Sequence, residues 1–341
     1  MIRLDSVKIG ADLCAVRCFN EDCFEQNVKL HKGEVRSETR SLLPRQNILG
    51  ISSIQLDEER ERVNLVLSAK VLKGSYYDLI NRNNVDELVR CINDTGCIIL
   101  EANAFLDSAE VYRFDTTTNL PVPEPVGKYI EALQVYAING KYECSPFDED
   151  GIVFVRKVKS YKERDIFYDK FHEMERHDKK HLDLLNWQRF FGNLRVEANH
   201  TDLKHIRERC GVDEEKPKLL SVLESSKPVN LNMFDRIIRP DDMELRKDVY
   251  EFESLEAMKG TPAQIGRRIG MREIIEKCGR NMFLIRKFLR EKSKGNPSRM
   301  IKLYGQELIA MNKETNNVYE LESTGKMKEY IFTIRELLKV A

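Results

Sequence analysis

Three short segments of this 341-residue chain carry side chains that together could perform phosphoryl chemistry. Arg113-Phe114-Asp115 and Leu194-Arg195-Val196-Glu197 each set a carboxylate two residues after an arginine, and residues two apart on a strand share a face. Between them in the chain, Arg164-Asp165-Ile166-Phe167-Tyr168-Asp169-Lys170 puts Arg164, Ile166, Tyr168 and Lys170 on one face by the same period. If the three strands are neighbours in one sheet, two carboxylates, a phenol and several cations meet on one surface. Transfer of a phosphoryl group to a tyrosine needs its non-bridging oxygens neutralised, which Mg²⁺ or Mn²⁺ bound through one or two carboxylates supplies. Asp115 and Glu197 suit that role. Tyr168 is the candidate nucleophile; its phenol, with an ordinary pKa of about 10, must lose its proton or meet a cation as it ionises. Lys170 is placed to help, with His172 as a second candidate on the same face. Each Arg-acid triplet alone is ordinarily a solvated strand edge, so it is their order and company that carry weight.

The elements that must hold these residues read as strands interleaved with helices. Met1 to Gly10 and Phe24 to Lys32 look like strands, and Ile51 to Leu72 a hairpin whose second arm, Val63 to Leu67, is β-branched and apolar. Helical spacing of Leu79, Ile80, Val85, Leu88, Val89 and Ile92 predicts a helix over Tyr76 to Asn93, stopped at Asp94-Thr95-Gly96. Strands follow over Ile98 to Phe105 and Glu110 to Thr117, with a turn at Asp107-Ser108, and then a helix from Val126 to Ile138 after the prolines at 121 to 125. A β pair is predicted over Ile152 to Lys159 and Arg164 to Phe171, then a polar helix through Leu182, Leu185 and Phe190, a strand over Asn193 to Asn199, and a helix from Asp202 to Cys210 capped by Gly211. The acidic, proline-containing stretch Asp213 to Pro217 is the expected boundary between a domain at 1–211 and a mainly helical region at 212–341.

Formal net charge is zero, with 41% hydrophobic and 33% charged residues. Any basic surface must therefore be local. Lys259 to Lys302 holds thirteen Lys or Arg against three acidic residues. There, Thr261-Pro262 opens one helix and Gly279-Arg280 separates it from a second, in the outline of a helix-turn-helix. Arg267, Arg268, Arg286, Lys287 and Arg290 are its candidate DNA contacts, and a plain solvated helical face is the alternative. Eight cysteines show no CxxC pair and no matching histidine spacing, which argues against zinc and for reduced thiols. Met1 to Ala15 lacks a signal-peptide pattern, and the longest apolar runs, such as Ile98-Ile99-Leu100, fall far short of the ~20 residues of a membrane span. The expectation is a soluble cytoplasmic chain with no membrane partner.

The succession Ala69-Lys70-Val71-Leu72-Lys73-Gly74, Arg113-Phe114-Asp115, Arg164 to Lys170 and Leu194 to Glu197 resembles rolling-circle replication initiators, above all filamentous-phage gene II proteins and plasmid initiators of the Rep-trans type. The likeness runs from about Asn64 to Gly211, with a weaker echo in Pro228 to Asp235. It implies an α+β fold, a central antiparallel sheet flanked by helices and related to the HUH nuclease domain. It further implies that Asp115 and Glu197 bind metal and that Tyr168, two residues before Lys170, forms the covalent bond to DNA; Arg113, Arg164 and Arg195 fall to DNA binding. The His-hydrophobic-His strand of many relatives is missing, since Val63 to Leu67 offers only Asn64, which leaves Glu163 and His172 as further candidate ligands. Tyr161 is the rival nucleophile but lacks a lysine two residues on. The implied activity is nicking of one strand at a single-stranded or cruciform origin through a 5′-phosphotyrosine, with a host helicase and polymerase as partners and one or two copies of the chain at work. The alternative is a non-enzymatic DNA-binding initiator or repressor.

Overall fold

Alternation drives the first half of the chain into strands. In β6 (Arg62–Ser68) Val63, Leu65 and Leu67 are buried while their neighbours are only partly covered, so one pleated face turns to the core. The other long strands are β1 (Leu4–Asp12), β3 (Phe24–His31), β4 (Glu34–Leu42), β5 (Ile51–Asp57), β8 (Glu110–Pro121), β9 (Tyr142–Phe147), β10 (Gly151–Lys157), β11 (Lys162–Asp169) and β12 (Asn193–His200). These ten form one antiparallel sheet in the order β3-β4-β5-β6-β1-β8-β12-β11-β10-β9, and β2 (Val16–Phe19) pairs with β7 (Ile98–Leu100) in a separate ribbon. The computed structural model describes residues 1–31, 34–136, 141–147, 150–157, 162–238, 254–292 and 324–341. The protein is mixed α+β with a large antiparallel sheet. Among the described residues no helix is long and apolar enough to cross a membrane.

Two compact units make up the chain. The first comprises 1–126, 141–234 and 335–341, and the second 127–140 and 235–334. The acidic stretch at 213–217 lies inside the first unit, which also takes in α6 (Leu219–Glu224) and the start of α7 (Val229–Ile237). In unit 1, α1 (Val85–Asn93) buries Val85, Leu88, Val89 and Ile92 at helical spacing. They join Ile9, Leu65, Phe105 and Phe114 in the main core. α5 (Leu203–Cys210) follows β12, its N-cap Asp202 accepting from the His205 amide and its C-cap Gly211 left-handed at φ 64°.

Several local predictions give way to side-chain chemistry. Residues 69–78, expected in part to be α-helical, form 3₁₀ turns with Lys73 and Leu79 at positive φ. The Asn81 and Asn84 side-chain amides both bond the Leu79 carbonyl, which supports a turn instead of a continuing helix. The expected strand over 98–105 stops at Leu100, because the Glu101 carboxylate accepts from the amides of Asn103 and Ala104 and starts α2 (Ala102–Ser108). The strand expected to reach Phe171 ends at Asp169, whose carboxylate caps α4 (Lys170–His177). Residues around Leu182 and Leu185 lie in turns, followed by a 3₁₀ turn at Trp187–Phe190.

In unit 2, α8 (Pro262–Lys277) begins with a capping box in which Thr261 and Gln264 satisfy each other's backbone amides. A tight turn through Gly279 and Arg280, both at positive φ, leads to α9 (Met282–Lys292). Asn281, fully buried, donates to the Val135 carbonyl at 2.9 Å and so ties the turn to α3 (Val126–Val135). Tyr129 of α3 packs on Tyr330 of the last helix, α10 (Thr324–Val340), with ring centroids 4.8 Å apart.

Candidate functional site

The three segments singled out in the sequence are adjacent strands, β8, β12 and β11, in that order. Their register decides how the groups meet. Asp115 faces Asn199, Glu197 faces both Thr117 and Ile166, and Arg195 faces both Asn119 and Tyr168. Directly opposed residues share a face, so Arg113, Asp115, Glu197, Arg195, Ile166 and Tyr168 all project from the same side. Because β8 and β12 run antiparallel, the two triplets point in opposite directions along that face. The two acids fall in the middle as diagonal neighbours, and Arg113 and Arg195 fall at opposite ends.

The end around Arg195 is sealed. Arg195 is 0% exposed and is held by three groups: Nη1 donates to the Tyr76 hydroxyl at 2.9 Å, Nη2 lies 3.2 Å from Asp5 Oδ1, and Nε lies 3.3 Å from Glu197 Oε1. Tyr76 is fully buried against Phe190. The Tyr168 hydroxyl donates to Glu197 Oε1 at 2.6 Å, and Tyr168 itself is 5% exposed. Lys170 heads α4 and pairs with Glu173 at 2.6 Å, its ammonium 5.7 Å from the Tyr168 ring centroid and 5.5 Å from that of Tyr76. It therefore faces the ring of Tyr168 (cation–π) instead of its hydroxyl.

The other end is open. Arg113, Asp115, Phe147, Arg164, Ile166, Glu197, Asn199 and Thr201 line a cleft of about 440 Å³. The Asp115 carboxylate accepts from the Ser6 hydroxyl and the Asn199 amide. Ser6 and Asp5 are consecutive, yet both serve this polar face, since a register shift between Leu4 and Ser6 bulges β1 here. Arg113 and Arg164 are exposed, and the Arg164 guanidinium lies 5.3 Å from the Phe147 ring centroid.

Burial sets the proton affinities. It raises Glu197 to about 7, with Asp5 adding to the shift while Arg195, Lys170 and the Tyr168 hydrogen bond oppose it. Burial also raises Asp115, against the hydrogen bonds from Ser6 and Asn199. Tyr168 is pushed well above the usual phenol value by burial and then by Glu197. Asp5 goes the other way: burial opposes it, but Arg195, Lys170 and Lys70 hold it below the usual carboxylate range. At both carboxyl groups of the cleft, burial thus favours the neutral, protonated form. Among the described residues no group of three or more His, Cys, Asp or Glu could hold a metal; Asp115 and Glu197 are the two carboxyl groups that line this cleft.

The remaining sequence candidates are placed elsewhere. Glu163 is on the opposite face of β11, buried and paired with Arg209 at 2.8 Å and Arg156 at 3.5 Å. His172 sits on α4 with Nδ1 2.9 Å from Asp169, a hydrogen bond that raises its pKa. Tyr161 lies outside the described residues. Arg195 was expected to touch DNA, but its complete burial makes it an internal support. In unit 2, Arg267 is exposed and Arg268 partly so, Lys287 pairs with Glu131 at 3.0 Å, and the side chains of Arg286 and Arg290 lie outside the described residues. Asp5, Ser6, Phe147 and Asn199 were not among the residues singled out in the sequence, where Tyr76 figured only as the start of a predicted helix. Of these, only Asn199 carried a local signal, as the next same-face residue after Glu197.

No protein-family model matches the sequence, and no characterised protein matches it.

Proposed function

We propose that the protein is a DNA-nicking replication initiator of the rolling-circle type, related to HUH nucleases, in which Tyr168 attacks a backbone phosphate. The observation that carries this reading is the Tyr168 hydroxyl, 2.6 Å from Glu197 and one row along the same face from a cleft lined by Asp115, Arg113 and Arg164. In the step, Tyr168 Oη forms a bond to phosphorus and its proton passes to Glu197. The bond from phosphorus to the 3′ oxygen breaks, that oxygen takes a proton from water, and the 5′ phosphate stays on the tyrosine. The freed 3′ hydroxyl is then available to a polymerase, and attack by a later 3′ hydroxyl reverses the chemistry and rejoins the strand. A divalent cation held by Asp115 and Glu197 would neutralise the non-bridging oxygens. Arg113 and Arg164 bind the flanking phosphates. Arg195, anchored by Asp5 and Tyr76, fixes the orientation of Glu197.

A second reading, a DNA-binding initiator or repressor without enzymatic activity, draws on the near-complete burial of Tyr168. Incubation with Mn²⁺ and supercoiled plasmid bearing the cognate origin separates the two. The nickase yields open circles with protein attached through a denaturant-resistant bond, whereas retardation of intact supercoils with no open circles favours the second reading.

A further inference from the structure

Tyr168 must reach a phosphorus atom to act as a nucleophile, yet it is 5% exposed. Val153 and Ile166 cluster with it and the Lys170 ammonium lies over its ring; one further group covers it. Phe147, the last residue of edge strand β9, lays its ring against Tyr168 with centroids 5.2 Å apart at 61°. Between them, Gly151 of β10 is paired with Phe147 on one side and with Tyr168 on the other. A Cβ on Gly151 would stand 2.8 Å from the Phe147 carbonyl oxygen, 2.9 Å from Phe147 Cδ1 and 2.8 Å from Tyr168 Cβ. The glycine is thus the empty place over which the phenylalanine ring folds onto the tyrosine. The ring also meets the Arg164 guanidinium, and both Phe147 and Arg164 line the cleft that holds Asp115 and Glu197.

We infer that Phe147 is a gate on Tyr168, released when a phosphate in the cleft draws Arg164 off the Phe147 ring. A guanidinium stacked on an aromatic ring is held by ~1 kcal/mol or less at an exposed site, and a bidentate contact with a phosphate is stronger. Arg164 therefore exchanges partners when a phosphodiester arrives. Phe147 then loses that contact and can swing away, since among the described residues no further strand pairs beyond β9. The nucleophile is exposed only once a phosphate occupies the cleft. The purpose of the gate rests on the nickase reading, but its motion does not.

The gate can be tested without DNA. N-acetylimidazole acetylates accessible phenols, and peptide mass mapping of the full-length protein reports the rate at Tyr168, with inorganic phosphate as the probe and fully buried Tyr76 as an internal control for unfolding. Phosphate should accelerate acetylation of wild-type Tyr168 about tenfold, the scale of one lost aromatic contact, and should have no effect in Arg164→Gln. Phe147→Ala and the milder Phe147→Leu should label Tyr168 at the fast rate with or without phosphate, while Tyr76 stays protected. Labelling of wild-type Tyr168 as fast as in Phe147→Leu without phosphate would overturn the gate, as would a phosphate response that survives Arg164→Gln. The two proposals fail separately. A working gate with no nicking removes only the nickase, and nicking by a protein whose Tyr168 labels freely removes only the gate.

Discussion

Arg113-Phe114-Asp115 and Arg195-Val196-Glu197 have the same pattern, lie on neighbouring strands and face the same way, yet they end in opposite environments. Arg113 is exposed at the open end of the cleft, whereas Arg195 is sealed among Asp5, Tyr76 and Glu197. Antiparallel pairing accounts for the difference: it brings the acids together and sends the arginines apart, one toward solvent and one under Tyr76 and Phe190. The same local pattern thus leaves its arginine open to solvent in one strand and makes it an internal brace in the other. What separates the roles is the cover contributed by residues 69–78 and 187–190, not the strand itself.

Substitution of the two arginines should give the largest difference. Arg195→Ala strands Asp5 and Glu197 without their cation in a buried site, and should cost about 3–5 kcal/mol in urea unfolding. Arg113→Ala should stay within about 0.5 kcal/mol. Similar losses at the two positions would erase the distinction between brace and contact.

A pH series tests the acids next. Glu197 is raised to about 7 in the folded protein, against an ordinary value of 4.5. The folded state therefore holds a proton that the unfolded state has released across that window. Its contribution is fully present below pH 4.5 and is lost as pH rises toward about 7. Glu197→Gln should flatten stability over this range relative to wild type. Asp5, shifted downward by its cations, acts only below its ordinary 3.8, where stability falls with acid. The two effects are separable by pH. An unchanged slope between pH 4.5 and 7 in Glu197→Gln would show that this carboxyl is not the buried proton holder.

The smallest expected effect is on DNA binding. Arg113→Gln should reduce the slope of log affinity against log salt by about one, with the fold unchanged. A slope identical to wild type would remove Arg113 from the phosphate contacts.

The strands that carry the site were legible because alternation along 110–117, 164–169 and 193–199 is a local property, and so was the shared face of Asp115, Glu197 and Tyr168 once those strands were taken as neighbours. What was not legible depends on distant or exceptional contacts. Asp5 and Ser6 reach the site together only because β1 bulges between Leu4 and Ser6. Tyr76 covers Arg195 because the chain at 69–78 turns in 3₁₀ fashion, held by asparagine side chains that hydrophobic spacing does not reveal. Lys170 leaves the strand face because Asp169 caps a helix there, a competition between strand and cap decided by one carboxylate. Phe147 joins the site across Gly151, a contact that requires knowing that β9, β10 and β11 are consecutive neighbours.

If Tyr168 is the nucleophile, as proposed, a covalent adduct forms on it. With Mn²⁺ and single-stranded DNA carrying the cognate origin, wild-type protein should give an adduct that survives denaturant and whose nuclease-trimmed nucleotide maps to the peptide containing Tyr168. Tyr168→Phe, which keeps the ring packed against Phe147, should give none. An adduct that persists in Tyr168→Phe, or one that maps to another tyrosine, would contradict the account.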